Sequence, residues 1–112
     1  MFDLDKKVYY GRLFDFYGRM LTDNQRDICR FFFDEDYNLT ETGDALGISK
    51  QAVRDILNRT TAKLDDYENK LGLLGKYEQM NGMCSDAIAA LDSDQIDTAK
   101  TCLSRLKGFL EE

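Results

Sequence analysis

Proline and histidine are both absent from this chain of 112 residues, and cysteine occurs three times. Without proline no pyrrolidine ring interrupts a helix, and the eight glycines fall mostly singly between apolar-periodic stretches, the pattern of helices joined by short turns. Without histidine the chain lacks the commonest general base and metal ligand. Cys29, Cys84 and Cys102 are odd in number and widely spaced. No Cys-x-x-Cys offers zinc a tetrahedral site, and each cysteine reads as a small core residue in a reducing cytoplasm. A G-x-x-x-x-G-K-[ST] phosphate loop is missing. Carboxylate clusters such as Asp34-Glu35-Asp36 and Asp65-Asp66 read as solvated ends and faces. Neither an enzyme nor a cofactor is expected.

No stretch approaches the roughly 20 apolar residues needed to span a bilayer, so no membrane partner is expected. The start, Met1-Phe2-Asp3-Leu4-Asp5, has no basic segment followed by an apolar run, and no signal peptide is expected. Apolar content of 43% with 32% charged residues is that of an ordinary globular chain.

What is present is helical periodicity and an uneven charge distribution. The net charge is −6, too acidic for a chain that coats nucleic acid through bulk charge. Residues 1–48 hold 6 basic and 10 acidic side chains, and residues 65–112 hold 5 and 10. Between them, Lys50, Arg54, Arg59 and Lys63 face one acid, Asp55. One short basic segment sits inside an acidic protein.

A first helix is expected from about Lys6 to Arg19, with Tyr9, Leu13, Phe16, Tyr17 and Met20 on its inner face. Thr22-Asp23-Asn24-Gln25 reads as a capping box that opens a second, carrying Ile28, Cys29, Phe31 and Phe32 inward. A short third helix is expected to be capped by Thr40 and ended by Gly47. Ser49 caps the fourth, whose apolar seam runs Val53, Leu57, Thr60, Leu64, Tyr67, Leu71, Leu74 in steps of four and three, with Gly72 or Gly75 as its stop. Two more helices follow, marked by Tyr77, Met80, Cys84, Ala87, Ile88, Leu91 and by Ile96, Ala99, Leu103, Leu106, Leu110.

Two helices joined by a short glycine-containing turn form a helix-turn-helix, whose second helix lays its N-terminal residues in the major groove of duplex DNA. Here the turn is Gly47-Ile48-Ser49, with Ala52, Val53, Ile56 and Leu57 inward and Lys50, Gln51, Arg54, Asp55 and Asn58 outward. Gln51 and Asn58 suit adenine and Arg54 suits guanine. Arg59 and Lys63 suit phosphates, as do Ser49 and the amides at the helix start. The expected nucleic-acid contacts are thus Ser49, Lys50, Gln51, Arg54, Asn58, Arg59 and Lys63. The supporting helix has Thr42 and Gly43 where a large aliphatic residue and alanine are usual. Glycine inside a helix costs about 1 kcal/mol relative to alanine, so a loosely held supporting helix is expected.

Leu13-Phe14-Asp15-Phe16-Tyr17-Gly18, Leu21-Thr22 with Gln25-Arg26, Ile48-Ser49-Lys50-Gln51-Ala52-Val53, and Asp66-Tyr67-Glu68 with Lys70-Leu71-Gly72-Leu73-Leu74 resemble the YlxM family. That family is encoded beside signal recognition particle genes, and its helix-turn-helix is similar to region 4 of sigma factors. The resemblance covers roughly residues 8–75. It implies an all-α fold, a helix-turn-helix bundle of winged-helix-like or sigma region 4-like kind with a long helix and two extra C-terminal helices. It also implies a DNA-binding regulator, or an accessory protein of the signal recognition particle pathway. In the second case the acidic faces of residues 65–112, with Asp65, Asp66 and Glu68, would meet a basic partner. Residues 1–75 are expected to form the helix-turn-helix domain. Residues 76–112 are expected to form a helical hairpin packed on the same core or on a dimer partner. The seam beyond Thr60 needs cover, from the first and last helices or from a second copy, and a homodimer is expected.

Overall fold

Asp3 opens the first helix, its carboxylate accepting the Lys6 amide at 2.8 Å. In the computed structural model, which describes residues 2–112, α1 spans Leu4–Tyr17 and tightens into a 3₁₀ turn at Gly18–Met20. Leu13, Phe14 and Tyr17 are its buried residues, whereas Tyr9, Phe16 and Met20 lie exposed. The inner face is therefore narrower than the spacing suggests, and the tightened turn after Tyr17 ends the 3.6-residue period before Met20.

Thr22 accepts the Gln25 amide while the Gln25 side chain accepts the Thr22 amide, the expected capping box, and α2 runs Asp23–Cys29. It continues as a wide π turn, Arg30–Asp34. There Phe32 is buried and Phe31 half-buried, and Phe2 packs on Phe32 and Phe33 at ring-centroid distances of 5.4 and 6.2 Å. α3 spans Leu39–Leu46, but its cap is Asn38, not Thr40. The Asn38 side chain accepts the Glu41 amide at 2.8 Å and Glu41 reaches back to the Asn38 amide at 3.0 Å. The chain leaves the π turn early enough for this, with the Tyr37 amide bonded to the Phe31 carbonyl.

α4 spans Lys50–Leu71, 22 residues, capped by Ser49 and ended by Gly72 in the left-handed conformation. Val53, Leu57, Thr60 and Leu64 are fully buried. The Thr60 hydroxyl donates to the Ile56 carbonyl at 2.7 Å, so a polar group on the seam is satisfied within its own helix. Beyond Thr60, α1 and the turn that follows it cover the seam as far as Tyr67, and Leu71 stays exposed. Tyr10 donates to Asp65 at 2.9 Å, Tyr17 to Glu68 at 2.6 Å, and Tyr67 to the Met20 carbonyl at 3.3 Å. Asp65 and Glu68 are thus anchors of helix packing, not free members of an acidic docking face; Asp66, paired with Lys70, remains on the surface.

The chain divides into two compact units, Met1–Gly72 and Leu73–Glu112. The second is a hairpin of α5, Leu73–Asp92, and α6, Ile96–Leu110, closed by a turn in which the Gln95 amide bonds the Ala90 carbonyl at 2.8 Å. Ala87, Ala90 and Ala99 are buried in it. No strand occurs among the described residues, so no β wing accompanies the helix-turn-helix. No helix there is long and apolar enough to cross a membrane. Of the cysteines only Cys29 is a core residue; Cys102 is half-buried and Cys84 exposed.

Burial and the bond to Asp65 push the Tyr10 phenol up to about 12 from its ordinary value of 10.0. A folded-state value above the unfolded one adds stability that is intact below pH 10 and drains away as pH rises towards 12. Tyr10→Phe should therefore flatten the fall in urea midpoint across that window. An unchanged slope would show that the phenol does not titrate with folding.

Candidate nucleic-acid interface

The turn between α3 and α4 is set by three residues. Gly47 takes φ 70°, ψ 32°, the left-handed conformation that closes a helix C-terminus without a Cβ penalty. Ile48 packs half-buried on the cluster of Ile28, Phe32, Val53 and Leu57, and its amide donates to the Gly43 carbonyl at 3.0 Å. Ser49 accepts the Ala52 amide at 3.0 Å and starts α4. A Cβ on Gly43 would stand 2.6 Å from the Ile48 carbonyl oxygen and 3.5 Å from Val53. Gly43 is therefore what lets the turn fold back on the supporting helix. The expected looseness is reversed: Thr42 is fully buried, with its hydroxyl donating to the Asn38 carbonyl at 2.8 Å, and the helix is closely packed.

With Val53 and Leu57 inward, helical spacing puts Gln51, Asp55 and Asn58 along the outer midline of α4. All three are exposed. Gln51 is oriented from both sides: its amide nitrogen donates to Asp55 at 2.9 Å, and Arg54 donates to its oxygen at 3.4 Å. Lys50 and Arg54 lie on one flank. Lys50 is exposed, and Arg54 is half-buried over a cleft of about 360 Å³ floored by Phe2, Phe32 and Leu39. Lys7 reaches the same cleft from α1, standing 4.7 Å over the Phe32 ring and paired with Asp36. Arg59, on the other flank, is exposed with its Nε toward the Asp55 carbonyl at 3.4 Å. Lys63 is half-buried and donates to Gln25 at 3.2 Å, the residue that closes the α2 capping box.

The structure thus brings Lys50, Gln51, Arg54 and Asn58 together on the first turns of α4, with Ser49 at its head. Lys63 sits apart, tied to α2. Asp55, expected on the outer face, also holds Gln51, and its i, i+4 spacing from Gln51 is the signal for that contact. Lys7 escaped sequence reasoning, because it joins from another helix and no local spacing announces that.

A family described as "Putative helix-turn-helix protein, YlxM / p13 like" matches residues 4–103. The chain belongs to this family. Among its relatives, the UPF0122 protein of Symbiobacterium thermophilum is 36% identical over 96 residues, covering 86% of this chain and 90% of its own. That of Shouchella clausii is 36% identical over 105 residues, covering 93% and 96%. That of Oceanobacillus iheyensis is 45% identical over 76 residues, covering 68% and 72%. The family match takes in the turn, all of α4, and the hairpin as far as residue 103.

Gly43→Ala tests the geometry of the turn. Helix propensity alone would make it stabilising, whereas contact with a backbone carbonyl should make it destabilising, by about 1–3 kcal/mol. Urea unfolding decides; a gain in stability would mean the turn has room that the structure denies.

Proposed function

We propose that this chain is a cytoplasmic, DNA-binding regulatory protein that reads duplex DNA with the first turns of α4. The observation that carries the reading is the capped, closely packed α3–turn–α4 unit with Gln51 and Asn58 on its outer midline and Lys50 and Arg54 beside them. Gln51 and Asn58 have the donor–acceptor pair that adenine requires, and Arg54 has the fork that guanine requires. The amides of Lys50 and Gln51, at the unsatisfied head of the helix, suit a phosphate beside Ser49. Arg59 suits a backbone phosphate, and Lys63 does so once it leaves Gln25. Asp55 favours selectivity over affinity, since an anion on the reading face is tolerated only where its neighbours are engaged.

Titration of labelled random-sequence duplex should show binding at 50 mM salt that falls steeply by 200 mM, in the manner of ~3–4 neutralised phosphates. Arg59→Ala should weaken all duplexes alike and lower the salt slope by about 1. Arg54→Ala should cost about 1–3 kcal/mol at one base position of a selected site. Equal loss on every sequence would remove base reading by Arg54.

A second reading, an adaptor that modulates the signal recognition particle GTPases, is favoured by the acid excess of residues 65–112. Since Asp65 and Glu68 hold α1 to α4, its contact would fall on the exposed acids of the hairpin, Asp86, Asp94 and Asp97. Absence of duplex binding at 50 mM salt would give this reading the weight.

A further inference from the structure

In α6, Ile96, Leu103 and Leu110 recur every seven residues and are 58%, 50% and 63% exposed. In α5, Tyr77, Cys84 and Leu91 recur at the same interval and are exposed too, with Ile88 beside them at 61%. Three positions after Tyr77, Cys84, Ile96 and Leu103 comes the residue that the hairpin uses. Ala87 and Ala99 are buried, and Met80 and Leu106 half-buried. Each helix therefore carries both apolar positions of a heptad, and the α5–α6 contact consumes one of the two. Antiparallel pairing through the turn sets Leu91 level with Ile96, Cys84 with Leu103 and Tyr77 with Leu110, three layers on one face. A two-helix layer with such a face is half of a four-helix bundle.

We propose that this face binds a second copy of the chain, the two hairpins stacking as an antiparallel four-helix bundle. A two-fold axis parallel to the helices lays each apolar layer on its own counterpart and sets α5 against α6 of the other chain. The exposed halves of seven apolar side chains amount to ~600 Å² per copy, ~1,200 Å² in all, at the lower bound for a specific stable interface. The dimer is accordingly dependent on concentration. It does not use the α4 seam, which α1 and the turn after it cover as far as Tyr67.

Sedimentation of the full chain, without nucleic acid and so independent of the DNA reading, tests this. Molar mass should climb from 12.9 kDa towards twice that value as concentration rises through the micromolar range. Leu103→Glu should weaken association at least ~tenfold, about 1.4 kcal/mol, with helicity by circular dichroism intact. Should that variant lose helicity, Ile88→Lys on the exposed face of α5 decides, and it should weaken association by a similar factor. A monomer throughout the range overturns the proposal. So does a dimer indifferent to both changes, and so does a mass gained only with another protein present.

Discussion

Between the Cα of Gly43 and the carbonyl of Ile48 there is no space for a methyl group. That close approach sets how far the chain folds back after Gly47, and therefore where Ser49 stands when it caps α4. From Ser49 the phase of α4 follows. Val53 and Leu57 meet Ile28 and Phe32, and Gln51, Asp55 and Asn58 are left facing outward. A one-residue change of phase would rotate the helix by about 100° and bury the polar row. The glycine serves the tertiary contact at a cost to its own helix.

α1 plays the complementary part at the far end of α4. Tyr10 and Tyr17 spend their hydroxyls on Asp65 and Glu68, so two carboxylates of an acidic stretch become half-buried anchors. Hydrogen bonds to charged acceptors are among the stronger ones. Those acids are therefore not interchangeable with the ones on the hairpin. The chain's negative charge is accordingly of two kinds, one structural and one exposed, and no composition separates them. The family match continues to residue 103 and so takes in α5 and the first half of α6.

Caps were the most legible features. Thr22 with Gln25, Ser49, Gly47 and Gly72 stand where their local chemistry indicates, because a cap depends on residues within four positions. Asn38 and Thr40 show the limit. Both are good caps, and the choice between them was made by the π turn upstream, which releases the chain at Tyr37. The inner face of α1 was misjudged by a comparable margin, since Tyr9, Phe16 and Met20 satisfy helical spacing yet lie outside the area that α4 covers.

By itself the sequence determined an all-helical chain, the position of its helix-turn-helix and the basic segment on its second helix. Those are matters of period, capping and composition, all short in range. The tertiary structure alone decided that Gly43 tightens the supporting helix, that Lys7 stands beside Arg54, and that Asp65 and Glu68 face tyrosines. It also decided which half of each heptad in the hairpin remains exposed. Each of these turns on contacts, made or missing, between separate elements, and such contacts arise only when whole helices are packed. Spacing along the chain carries no record of them.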